Sequence, residues 1–287
     1  MNNTIQQMLK NYEIKSVEDK KNAIKEIMQE LVLCGLSRAG FFKKAAFYGG
    51  TALRIFYGLD HFSEDLDFSL MISDPEFKLE DYFPILTKEV ESYGLKVDIQ
   101  TKEKNIDSHI KSAFLKGDTK EHMLLFYPNE RITGISHGEL INIKFEIDID
   151  PPKYATYESK YRLLPAPYEV NLYDAPSLFA GKIHAVICRG WKNRVKGRDL
   201  YDLIFYISRN TPVNLIHLKE RLIQTNTISE TDEFNLNILK EMLYQKFDNL
   251  DFEDAKKDVI PFIKDIQSLN LWNKDFFKAI SSQIKEN

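Results

Sequence analysis

Asp65 and Asp67 stand two apart in the run EDLDFSL. On a strand that spacing points both carboxylates to one face. Two like charges side by side repel, and partial burial raises the cost. A divalent cation removes that cost. Hard oxygen ligands on a rigid strand suit Mg²⁺, which favours octahedral oxygen coordination and keeps waters or substrate phosphates in its shell; Mn²⁺ accepts the same ligands. A second strand edge should then supply a third carboxylate. The run KFEIDID offers Glu146, Asp148 and Asp150 on its polar face. Three carboxylates can hold two metals, one activating an attacking hydroxyl and one supporting a leaving phosphate. Upstream, Gly49 and Gly50 separate an apolar run from a helical pattern that contains Thr51 and Arg54. Glycines there let the backbone approach a phosphate, and a helix N-terminus favours an anion.

The elements that must position these groups can be read from periodicity. Ser16 is an N-cap signal, followed by acidic residues and by Ile24, Ile27, Met28, Leu31 and Leu33 at helical spacing, with Gly40 as the stop. KKAAFYGG reads as a buried strand entering a turn, TALRIFYGL as a helix, and EDLDFSLMI as the next strand, with Leu66, Phe68 and Leu70 on one face. A helix and a strand follow, joined near Gly94. Further strands are expected at Ser112–Phe114, Glu121–Tyr127 and Glu139–Asp150, the last ended by Pro151 and Pro152. APYEVNLYDAPS reads as a loop, and the remainder as helices. The expected fold class is α+β, a mixed sheet flanked by helices and then a mostly helical domain. The expected division is 1–170 and 171–287.

A second cluster of chemistry lies in the helical part. Lys182 and Arg189 are seven apart and share a helix face. CRGWKNRVKGRD then gathers Arg189, Lys192, Arg194, Lys196 and Arg198 around Trp191. That stretch is either a solvated basic loop or a local site for phosphate, on a nucleotide or an RNA backbone. Asp199 and Asp202 fall three apart on the next helix, where Asp199 is expected to orient Lys182 or Arg198 rather than bind metal. The 6 histidines show no metal-ligand spacing, and His184, two residues after Lys182, should face away from it. No Walker A motif and no nucleophile motif is present.

Composition sets wide bounds. The 287 residues are 43% hydrophobic and 29% charged, ordinary for a globular protein, and the formal net charge of −4 announces no nucleic-acid binder. No apolar run is long enough to cross a bilayer, and the N-terminal segment lacks the apolar core of a signal peptide. Cys34 and Cys188 lie in apolar helical patterns and read as buried free thiols. These features together lead us to expect a cytoplasmic protein, with no membrane partner.

Tyr48, Gly49 and Gly50, then a helix, then Asp65 and Asp67 resemble the hallmark of the nucleotidyltransferase superfamily, although the intervening helix and loop are longer than is commonest there. GGTALR, SEDLDF, KFEID, LFAGKIHAVICR and KGRDLYDL, in this order over about residues 40–210, resemble the AbiEii toxins of type IV toxin–antitoxin and phage-abortive systems. The resemblance implies a nucleotidyltransferase-like fold and NMP transfer from an NTP to RNA, with tRNA the acceptor type in some members. It implies that Gly49, Gly50 and Thr51 contact the nucleotide phosphates, with Arg54 and Ser63 nearby. Asp65 and Asp67 would bind Mg²⁺, Glu146 would be the third carboxylate with Asp148 in reserve, Lys182 would reach the triphosphate, and Asp199 would be the fourth motif. It also implies a separate cognate antitoxin. Two rivals share parts of the pattern. A metal-dependent glycosyltransferase uses Asp-x-Asp but needs a nucleotide-binding fold ahead of it. A non-catalytic nucleotide- or RNA-binding protein of the same fold need not keep the glycines, carboxylates and lysine together.

Overall fold

The computed structural model describes residues 3–101, 119–128, 141–190, 195–263 and 265–287. The expected strand at Ser112–Phe114, and Trp191, Lys192 and Arg194 of the basic stretch, lie outside the described residues.

The N-terminal half holds α1 (Asn3–Leu9), α2 (Val17–Arg38), β1 (Ala45–Tyr48), α3 (Gly49–Tyr57), β2 (Leu66–Leu70), α4 (Phe83–Ser92), β3 (Leu95–Thr101), β4 (Thr119–Pro128) and β5 (Ile141–Asp148). After these come β6 (Tyr157–Arg162), β7 (Tyr168–Tyr173), α5 (Ala175–Cys188), α6 (Gly197–Ser208), α7 (Leu215–Gln224), α8 (Leu236–Asp248), α9 (Phe252–Val259) and α10 (Lys274–Ser281). The strands form one mixed sheet in the order β3-β4-β5-β2-β1-β7-β6. β2 runs parallel to β5 and β1 parallel to β7, while the other neighbours are antiparallel.

Local chemistry accounts for most element ends. Ser16 caps α2 through a reciprocal pair: its Oγ accepts from the Asp19 amide at 3.0 Å, and Asp19 Oδ2 accepts from the Ser16 amide at 2.9 Å. Gly40, at φ 77, takes the left-handed turn after that helix. β5 alternates as its sequence demands, with Ile141, Ile143, Phe145 and Ile147 buried and the polar residues between them half-buried or exposed.

The two sheet faces bury different cores. On one, Phe47, Phe68 and Phe145 pack under α2 and α4, the Phe47–Phe68 and Phe68–Phe145 ring centroids lying 5.0 and 4.6 Å apart. On the other, Ala46 and Tyr173 join the core of α5 to α10. The helices α5 to α10 therefore cover the face onto which Asp67 and Glu146 project.

One expectation is corrected. The supposed loop APYEVNLYDAPS contains β7, which lies between β1 and the edge strand β6. Tyr168, Val170 and Leu172 alternate inward on it, a signal masked by the flanking prolines. The sheet thus continues past residue 170 to Tyr173, and the helices open at Asp174, whose side chain caps α5.

Candidate active site

β1 delivers the chain to Gly49, whose φ of 82° lies in the left-handed region, and α3 opens at that residue. Glycine is required there twice over. A Cβ at Gly49 would also fall 2.3 Å from Asp67 Oδ2, so the Asp67 carboxylate occupies the space a side chain would fill. Gly50 is similarly close to Ser63, whose Oγ lies 2.9 Å from where its Cβ would be. Thr51 is fully buried and its hydroxyl donates to the Asp65 carbonyl, so the side chain shapes the loop before β2. Gln29 on α2 braces the same loop, donating to the carbonyls of Ser63 and Glu64 at 3.1 and 2.9 Å. Arg54, expected near the phosphates, is committed elsewhere. Its guanidinium donates to Glu26 and to the Leu59 carbonyl, both at 2.8 Å, and lies 4.6 Å from the Phe62 ring centroid.

The strand register selects the carboxylates. Asp67 is paired with Tyr48 on one side and with Glu146 on the other, and Ser69 with Asp148. Glu146, not Asp148, is therefore the direct neighbour of Asp67. The Asp67 carboxyl is pushed up to about 8, first by burial, then by the Glu146 and Asp65 charges and a hydrogen bond with Glu146. Glu146 also pairs with Lys144. Asp65 precedes β2 and is exposed. Among the described residues no three His, Cys, Asp or Glu side chains converge as a ready-made metal centre. The donors that do meet, Asp67 and Glu146, are all oxygen, and burial beside Glu146 favours the protonated form of Asp67. That donor set fits a hard divalent cation, which would replace the proton.

α5 and α6 build the opposite wall. Lys182 Nζ lies 2.7 Å from Asp199 Oδ1 and 2.7 Å from Asp202 Oδ2, and Arg189 pairs with the other Asp199 oxygen. Burial would raise both aspartates, but Lys182 with Arg189 at Asp199, and Lys182 with His61 at Asp202, hold them below the usual range. Burial acts to lower Lys182, and the two carboxylates reverse that and raise it. Asp199 is thus a direct partner of Lys182. Arg198 instead packs 4.2 Å from the Phe262 ring centroid.

Three contributors escaped the sequence reading. His61 is buried, with Nε2 2.8 Å from Asp202 Oδ1 and Nδ1 2.9 Å from the Phe62 carbonyl, and so steadies Lys182 through Asp202. A Gly-Leu-Asp-His turn carries no signal of that partner, which lies 141 residues away. His184 does not face away: it lines the same cavity as Lys182. Arg221 of α7 does so too. The cavity, of about 330 Å³, has Gly49, Gly50, Asp67 and Glu146 on the sheet side and Lys182 and Arg221 on the helical side.

The chain matches the family profile described as nucleotidyl transferase AbiEii toxin, type IV TA system, over residues 31–281. The chain belongs to the AbiEii family. It is therefore a nucleotidyltransferase of a toxin–antitoxin family, and the matched AbiEii segment contains both walls of the cavity. No curated protein matches it. Solved structures with similarity to this AbiEii chain include a candidate nucleotidyltransferase from H. pylori, at 20% identity and TM-score 0.48, covering 89% of this chain and 90% of that one. JHP933 from Helicobacter pylori is 19% identical with TM-score 0.49, covering 92% and 91%. An antigenic nucleotidyltransferase-like protein from Paracoccidioides brasiliensis is 17% identical with TM-score 0.41, covering 69% and 89%. No described helix of the AbiEii chain is long and apolar enough to cross a membrane.

Proposed function

We propose that this AbiEii protein transfers a nucleoside monophosphate from an NTP to a hydroxyl of an RNA acceptor, with tRNA as the acceptor class, in a Mg²⁺-dependent reaction that releases pyrophosphate. One observation carries the reading: the Asp67–Glu146 pair lies against the Gly49 turn and faces Lys182 across a single cavity. Asp67 and Glu146 would hold the cation, with Asp65 completing the set from the exposed side. When bound, Mg²⁺ or Mn²⁺ supplies positive charge to phosphoryl oxygens.

The chain's own groups do the positioning. The Gly49 and Gly50 amides at the N-terminus of α3 donate to the nucleotide phosphates, with Ser63 beside them. Lys182, aimed by Asp199 and Asp202, donates to the triphosphate and stabilises charge as it moves toward pyrophosphate. Glu146 takes the proton of the attacking hydroxyl. Thr51 and Arg54 act from behind, holding the loop and the helix in place. As biology, RNA modification would arrest growth, and a cognate antitoxin would relieve it in the cytoplasm.

The test is to incubate the pure protein with Mg²⁺, each α-labelled NTP in turn, and total RNA. Label should pass to RNA with at least one NTP and vanish in Asp67→Ala. No transfer with any NTP, together with no growth arrest on expression, would overturn the proposal.

A further inference from the structure

The cations of the cavity are unequal. Lys182 spends two of its three N–H donors on Asp199 and Asp202, and Arg189 is drawn to Asp199. Their charge is largely met within the protein. Arg221 is different. It has no carboxylate partner among the described residues. Its one hydrogen bond there is a long one, Nη1 to His217 Nε2 at 3.5 Å. His217 accepts in that contact as a neutral ring, because its Nδ1 lies 2.7 Å from the Lys153 carbonyl and must donate to it. The Arg221 Nε is buried with no acceptor among the described residues. A guanidinium cannot shed its proton, so a half-buried one without an anion is a standing cost.

Its surroundings say which anion would meet it. Arg221 lines the cavity that holds Gly49, Gly50, Asp67 and Glu146. Gly181, within α5, faces the guanidinium with no side chain to screen it: a Cβ there would come 3.8 Å from Cζ. Gln224 and Thr225, three and four residues on, line the same wall. The planar fork of arginine matches phosphoryl oxygens two at a time.

We propose that Arg221 is a polyphosphate-binding residue, the main protein cation for the β- and γ-phosphates of the nucleoside triphosphate, with Lys182 giving its one remaining donor beside it. This rests on the transferase reading above. The nucleotide then bridges the sheet, through the glycine turn, and α7 of the helical domain. Triphosphate would be selected over monophosphate by a residue that lies outside the Gly-Gly, Asp-x-Asp and lysine motifs.

Calorimetric titration of the full chain with each NTP, the matching NMP and inorganic tripolyphosphate, in Mg²⁺, tests this. Arg221→Gln should weaken NTP and tripolyphosphate binding by about 10- to 100-fold and leave NMP binding within about twofold. Arg221→Lys should fall between. In wild-type protein labelled with ¹⁵N-arginine, the Nε–H resonance missing from Arg221→Lys should shift on adding tripolyphosphate, a readout that does not depend on Arg221→Gln folding. Unchanged NTP affinity in Arg221→Gln, or no shift of that resonance, overturns the assignment. So does a loss confined to RNA binding, which would place Arg221 on the acceptor backbone. A wild-type protein that binds no NTP overturns the transferase reading itself, whereas wild-type binding with an indifferent variant overturns only the role of Arg221.

Discussion

Asp67 of β2 and Glu146 of β5 are partners in parallel register, and their carboxyls meet through a hydrogen bond. Two adjacent acids are an electrostatic burden on the fold unless a cation or a proton is shared between them. Asp67→Asn should therefore stabilise the metal-free protein by about 1 kcal/mol at pH 8 while abolishing nucleotide transfer. Urea titration and an activity assay on one preparation check both. A destabilised Asp67→Asn would contradict the account.

The pH dependence has a definite sign. Asp67 is pushed up from 3.8 to about 8 in the fold, so the folded state holds a proton that the unfolded chain loses. Stability of the metal-free protein should fall as pH rises toward 8. Burial and the Arg221 charge depress His184 and His217 from 6.5 to about 3, so the unfolded chain takes up protons first, and stability is lost as pH drops below 6.5. Asp199 and Asp202 are also depressed from 3.8, and their contribution disappears in stronger acid. Added Mg²⁺ should raise Tm more at pH 8 than at pH 6, because it competes with the Asp67 proton. Thermal melts across pH with and without Mg²⁺ decide this.

Gly49→Ala should cost about 1–3 kcal/mol from the left-handed backbone alone. Its methyl group would also displace Asp67, so activity should fall by about 100-fold or more. Gly197→Ala is the contrast. Its Cβ would lie 1.9 Å from the Ala255 carbonyl oxygen, where α6 meets α9. It should lower stability while leaving the NTP KM of the surviving folded protein near wild type.

Asp202 is buried between Lys182 and His61. Asp202→Ala leaves the buried Lys182 ammonium with Asp199 alone and His61 without its carboxylate, and should destabilise by about 1–3 kcal/mol. Adding Lys182→Met to it should cost less than Lys182→Met does alone, since the Lys182–Asp202 contact is already gone. A double-mutant cycle in urea measures the coupling, and strict additivity would refute the pairing.

His61 acts on Lys182 at one remove. His61→Ala should raise the NTP KM by about tenfold with a smaller change in kcat, and His61→Asn, which can still donate to Asp202, should recover part of it. A purely structural role would lower Tm without this split or this rescue.

Several parts of this arrangement were legible in the residues. The alternation of Leu66 to Leu70 and of Ile141 to Asp148, the Ser16 cap and the Gly49–Gly50 turn are local patterns, and the structure repeats them. β7 was hidden because the prolines around it read as loop chemistry, although it pairs with β6 just upstream as well as with β1. Arg54 lay at the right spacing for a phosphate, but Glu26, 28 residues earlier, claims it.

The sequence by itself determined the cap of α2, the alternation of β2 and β5 and the glycine turn into α3, because turn chemistry and periodicity act within a few residues. Only the tertiary structure decided that Glu146 rather than Asp148 abuts Asp67, that Lys182 is held by two aspartates, one of them backed by His61, and that Arg221 enters the same cavity with no carboxylate partner among the described residues. Strand register and helix docking are set by which surfaces bury together. The charge balance of a shared cavity follows from that packing, not from any one segment.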